Sequence, residues 1–86
     1  MSADLDGNSI GGLLRDVFGV EMTAAECVCA HCGFRGVLAS CEVYLNGPGT
    51  VVRCRGCRQV LMVFVEVRGT TCVDCTGLRD LSAWAT

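Results

Sequence analysis

The sequence contains no lysine and has one histidine, one proline, one tryptophan and one tyrosine in 86 residues. With lysine missing, all seven basic charges sit on arginine. The solitary His31 leaves little for general acid–base chemistry, and no serine–histidine–acid set suggests a hydrolase. Neither "IGG" (10–12) nor "NGPG" (46–49) makes a phosphate loop. The aromatics Phe18, Phe34, Tyr44, Phe64 and Trp84 are scattered, so no stacking platform interleaves with the basic residues. Long apolar runs are also missing. The longest, "VLMVFV" at 60–65, falls far short of a membrane span. The start "MSADLDGNSIGG" has neither a basic opening nor an apolar h-region, so it is not a secretory signal. These absences predict a cytoplasmic protein with no membrane partner and no enzymatic activity.

What is abundant is cysteine: eight residues, clustered as "CVCAHC" (27–32), "CRGC" (54–57) and "CVDC" (72–75), with Cys41 apart. In a reducing cytoplasm disulfides do not persist, and clustered cysteines read as metal-binding or catalytic. A chain this short makes one domain and often needs a staple such as a metal. With 51% hydrophobic residues and much valine, a folded, β-rich body is expected rather than disorder.

Charge is unevenly placed. Residues 1–26 carry Asp4, Asp6, Asp16, Glu21 and Glu26 against Arg15, net −4. Residues 27–68 carry Arg35, Arg53, Arg55, Arg58 and Arg68 against Glu42 and Glu66, net +3. The remainder is net −1, and the whole chain is −2. That total disfavours a general nucleic-acid binder, although the middle third is mildly basic.

Residues 8–19 predict a short helix. Ile10, Leu13, Leu14, Val17 and Phe18 fall on one stripe, with Asp6, Asn8 or Ser9 available as cap and Gly19 as stop. Gly11 and Gly12 each weaken it by roughly 1 kcal/mol relative to alanine, so its stripe must pack on something, either the domain's own sheet or a partner. "TAAE" (23–26) matches a capping box, but no helical period follows, and the stretch reads as extended. Residues 37–45 alternate as a strand, with Val37, Ala39, Cys41, Val43 and Leu45 on one face. "NGPG" turns the chain, "TVVRC" returns it, and 60–68 is the strongest strand. "TTCVD" reads as one more short strand. In the tail, Leu78, Leu81 and Trp84 suit a helical turn or a frayed end.

Cys29–Cys32 and Cys54–Cys57 are two C-x2-C pairs separated by 21 residues. Each pair can fold as a tight knuckle with both sulfurs on one side, supplying two corners of a tetrahedron. Gly33, just after the first pair, fits a position needing positive φ; Arg58 holds the matching place after the second. The metal ligands expected are therefore Cys29, Cys32, Cys54 and Cys57. Four thiolates on a divalent ion leave net −2, and Arg35, Arg53, Arg55 and Arg58 lie close in sequence to offset it. His31, inside the first knuckle, is expected to point away. Cys41 reads as a small buried hydrophobe. Cys27, Cys41, Cys72 and Cys75 admit a second zinc site, a redox dithiol at Cys72 and Cys75, or plain structural cysteines.

Residues 25–69 resemble a zinc ribbon. "LDGNSIGGLLRDVFGVEMT" and "PGTVVRCRGCRQVLMV" are similar to a family of short bacterial proteins of unknown function. The resemblance implies a helical leader (1–24) on a zinc-ribbon-like domain (25–86), one compact unit. The expected fold is α+β: an N-terminal amphipathic helix followed by a small antiparallel sheet. The expected role is a protein-binding adaptor held together by one structural Zn2+. A rubredoxin-like electron carrier with Fe on the same four cysteines is the alternative. A nucleic-acid-binding zinc ribbon is the second.

Overall fold

A computed structural model describes residues 5–82. The fold is α+β, with one short helix followed by antiparallel strands in two sheets. Strand β1 (Leu5–Asp6) leads into a 3-10 turn (Gly7–Ile10) and helix α1 (Gly11–Phe18). Next come β2 (Glu26–Cys29), β3 (Arg35–Val37), β4 (Glu42–Asn46), β5 (Gly49–Arg53), β6 (Val60–Val67), β7 (Thr70–Asp74) and β8 (Leu78–Ser82). The larger sheet has the order β1-β4-β5-β6-β7, and the smaller β3-β2-β8.

The helix forms where the apolar stripe predicts it. Leu14 and Ile10 are buried, and Leu13, Val17 and Phe18 pack partly against the same core as Val43, Val52, Leu61, Met62 and Phe64. Phe18 meets Phe64 edge to face at 6.4 Å between ring centroids. Gly19 closes the helix in the left-handed region (φ 79°), its N–H donating to the Arg15 carbonyl. Ile10 holds the N-cap position of α1 without a side-chain hydrogen bond. Asp6, Asn8 and Ser9 fall before or within the 3-10 turn, which starts the winding one turn earlier.

Strands β4, β5 and β6 form an antiparallel meander, with Val43 opposite Val52 and Val52 opposite Met62. Two residues, Gly47 and Pro48, connect β4 to β5, with Gly47 at φ 58°. Three expectations are corrected. The strand expected over 37–45 is broken by a 3-10 turn at Leu38–Ser40, so Leu38 is buried while Val37 is exposed. The alternation that mimicked one strand spans the ends of two. The tail is not helical: Leu78–Ser82 pairs antiparallel with β2, placing Leu81 opposite Cys27. Trp84 lies outside the described residues. The single sheet expected is two sheets, because β2 chooses the distant β8 as one partner.

Two strand irregularities flank the cysteine pairs. The β5–β6 register shifts between Val52 and Arg53, leaving Leu61 as an extra residue in β6. The β2–β8 register shifts between Val28 and Cys29, leaving Arg79 extra in β8. Bulges bend a strand and re-aim the side chains beside them, and here each sits within one residue of a knuckle's first cysteine.

Candidate metal centre

Each C-x2-C pair sits at the turn of a hairpin, the first between β2 and β3 and the second between β5 and β6. The two turns carry the same hydrogen bonds. In the first, Cys29 N–H donates to the Phe34 carbonyl (2.9 Å) and Gly33 N–H to the Cys29 carbonyl (3.0 Å). In the second, Cys54 N–H donates to the Gln59 carbonyl (2.9 Å) and Arg58 N–H to the Cys54 carbonyl (2.8 Å). Backbone N–H groups also reach the sulfurs: His31 N–H to Cys29 Sγ at 3.3 Å, and Gly56 N–H to Cys54 Sγ at 3.2 Å. Gly33 adopts φ 78°, and Arg58 takes the equivalent position at φ 65°. The second knuckle therefore holds a side chain in a conformation that favours glycine.

This duplicated backbone brings four sulfurs together. Sγ atoms of Cys29, Cys32, Cys54 and Cys57 all lie within 4.8 Å of one another. Cys29 Sγ is 3.7 Å from Cys57 Sγ, and Cys32 Sγ is 3.7 Å from Cys54 Sγ. A disulfide requires about 2.05 Å, so these are free thiols in contact. A regular tetrahedron with metal–sulfur bonds of about 2.3 Å has an edge of about 3.8 Å. The two cross-hairpin spacings match edges of such a tetrahedron, and the all-sulfur donor set suits zinc or iron alike. The inner pair, Cys29 and Cys54, is 1% exposed, whereas Cys32 faces solvent and Cys57 is half-buried.

Electrostatics fit the same reading. Burial raises the Cys29 thiol, but N–H groups of Cys32 and His31 and the Cys57 thiol outweigh it, leaving it at about 7. For Cys57, an N–H bond from Gln59 lowers the thiol, yet burial and the sulfurs of Cys32, Cys29 and Cys54 push it up to about 12. Cys32 also moves up: the Phe34 N–H lowers it, and burial with the Cys54 and Cys29 sulfurs prevails. Like charges this close do not all ionise on their own. A bound cation would supply the compensating charge.

The arginines do less here than their sequence positions suggest. Arg35 pairs with Glu26 at 2.9 Å. Arg53 donates to the Arg58 carbonyl at 2.9 Å and lies over the Tyr44 ring at 5.4 Å. Arg58 reaches Glu42 at 3.9 Å.

The other chemistry-bearing residues stay apart from the four. His31 is exposed and takes part through its backbone. Cys27 and Cys41 are both 2% exposed and touch each other, Sγ to Sγ, at 3.9 Å. Contact with Cys27 and burial raise the Cys41 thiol, and the same contact lowers Cys27. Cys72 faces solvent on β7, and Cys75 is half-buried at the start of the turn into β8. That turn is built differently from a knuckle: Asp74 accepts hydrogen bonds from the Thr76 N–H (2.9 Å) and hydroxyl (2.8 Å). Among the described residues, Cys29, Cys32, Cys54 and Cys57 form the one group of three or more metal-ligating side chains that converges. A second site from Cys27, Cys41, Cys72 and Cys75 is not assembled.

One residue of the site's framework escaped the sequence reading. Gly77 accepts from Ala30 N–H in the first knuckle (2.9 Å) and donates to the Leu61 carbonyl of β6 (3.2 Å). It pins the two hairpins together. A Cβ there would fall 1.9 Å from the Val60 carbonyl oxygen, so only glycine fits. Its sole sequence signal was a glycine following a C-x2-C pair.

Fold and site define a small α+β protein whose paired hairpin knuckles form a four-thiol centre compatible with a zinc-ribbon-like site. The chain belongs to DUF6510, a family of unknown function, whose family model matches residues 1–85. No curated protein and no solved structure matches it. Among the described residues, no helix is long and apolar enough to cross a membrane.

Proposed function

We propose that this chain binds one structural Zn2+ through Cys29, Cys32, Cys54 and Cys57 and serves as a cytoplasmic protein-interaction module rather than an enzyme. The observation that carries the reading is the pair of matched knuckles with cross-hairpin sulfur spacings of 3.7 Å. Four protein ligands fill a tetrahedral ion, which leaves no open position for substrate or water and favours a structural role over a catalytic one. Such a site contributes folding free energy directly, which suits a chain of this length. The large apolar side chains left exposed, Phe34, Val37, Leu45, Val67 and Val73, are the first places to look for contact with such a partner.

Elemental analysis of protein purified without added metal tests the reading. One zinc per chain supports it. One iron per chain, with the red colour of ferric thiolate, replaces it with an electron carrier. A metal-free folded chain refutes it. Partner capture with the zinc-loaded chain, repeated with Phe34→Ser, then tests the interaction role.

A further inference from the structure

Cys27 and Cys41 lie outside the four-thiol centre, yet their sulfurs touch at 3.9 Å inside the core. Cys27 is on β2 in the smaller sheet, opposite Leu81. Cys41 immediately precedes β4 in the larger sheet. The segment between them contains the whole first knuckle, Cys29 to Gly33. A buried free cysteine behaves as a small hydrophobe, and what sets this pair apart is that its two sulfurs are in contact. A disulfide would bring these sulfurs from 3.9 Å to about 2.05 Å.

We propose that Cys27 and Cys41 are a covalent redox site, forming a reversible intramolecular disulfide when a small hydroperoxide enters the core. In the first step, one Sγ attacks a peroxide oxygen. The O–O bond breaks, the distal oxygen leaves with the thiol proton as water (as an alcohol from an organic hydroperoxide), and that sulfur becomes a sulfenic acid. In the second, the other Sγ attacks it, the S–S bond forms, the S–O bond breaks, and a second water leaves. Two thiols lose two electrons in total, and the hydroperoxide takes them up. With both sulfurs 2% exposed, the oxidant must be small. The product bond ties β2 to the base of β4 and closes the segment that carries Cys29 and Cys32. The inference is independent of which ion the four thiols hold.

The test uses the full, metal-loaded chain carrying Cys72→Ser and Cys75→Ser, which removes the thiols outside both groups. It is exposed to hydrogen peroxide, with free glutathione present as an internal check that oxidation occurred. Thiols are then alkylated in denaturant and the peptides mapped by mass spectrometry. The expected result is an intact mass lower by two hydrogens, a linked peptide joining Cys27 to Cys41, unchanged metal content, and reversal by dithiothreitol. Adding Cys41→Ala should abolish the two-hydrogen loss. The unmodified chain, mapped in parallel, should give the same linked peptide. Full alkylation of Cys27 and Cys41 after glutathione has been oxidised would overturn the proposal. So would a bond mapped to the four-thiol centre, or a two-hydrogen loss that survives Cys41→Ala.

Discussion

Gly77→Ala should destabilise the protein severely, although it adds a single methyl group to a turn. That methyl would sit 1.9 Å from the Val60 carbonyl oxygen, 2.7 Å from Leu61 Cα and 2.8 Å from the Val60 carbonyl carbon. All three are backbone atoms of β6, so no side chain can swing aside. The turn must retreat from β6 by about an ångström, since Cβ atoms essentially never come within 3.0 Å of such neighbours. Retreat breaks the bonds from Ala30 N–H to Gly77 and from Gly77 N–H to Leu61. Two hydrogen bonds contribute about 1 kcal/mol each, and overpacking adds about 1–3 kcal/mol. The expected loss is about 3 kcal/mol or more, a large share of what a domain this small possesses. Gly12→Ala provides the contrast: the same methyl, on α1, meets nothing within 4 Å. It should gain up to about 1 kcal/mol through helix propensity and a less disordered unfolded chain. Urea unfolding followed by circular dichroism, at fixed free metal, measures both. A Gly77→Ala midpoint within about 0.5 kcal/mol of wild type, the scatter of ordinary surface changes, would refute the clamp.

Other substitutions separate the roles of the cysteines and of backbone strain. Cys54→Ser should lose metal and fold together, read by elemental analysis and circular dichroism. Cys41→Ser should keep its metal while losing about 1–3 kcal/mol for a hydroxyl in an apolar site. Arg58→Gly should raise the unfolding free energy by about 1 kcal/mol, and the urea midpoint with it, because relief at φ 65° outweighs the loss of an exposed 3.9 Å ion pair with Glu42. An unchanged or lower midpoint would show that the arginine is needed there. Asp74 should titrate below the ordinary aspartate value because the Thr76 N–H and hydroxyl stabilise its carboxylate. A lowered folded value stabilises at pH above the unfolded one and is lost as pH falls through the folded one. In a carboxyl NMR titration, Thr76→Val should move the Asp74 midpoint upward, and no movement would count against the turn.

The four-thiol convergence was legible because a knuckle is local. C-x2-C fixes two sulfurs within one turn, and Gly33 marked the positive φ that the turn requires. The helix was legible from its stripe, and β6 from its run of β-branched residues. Strand β8 was not. Leu78–Ser82 has no strong strand character, and its conformation is set by pairing with β2, some fifty residues earlier. Residues 37–45 misled because the ends of β3 and β4 kept the parity of a continuous strand across the turn at Leu38–Ser40. The nearness of Cys27 to Cys41 depends on that turn, and the need for glycine at 77 depends on β6 lying beneath it. Both are facts of tertiary packing that no local pattern encodes.

The unequal burial of the four sulfurs gives any ion held there a dry side and a wet side. Cys29 and Cys54 anchor it from within the core, while Cys32 and Cys57 face outward. An incoming thiol can replace Cys32 and then Cys57 while the inner pair still holds, without the chain unfolding. Transfer to an external chelator should therefore quicken with chelator concentration; a rate that followed global unfolding instead would exclude this route. An ion held there would meet solvent on one flank, at Cys32.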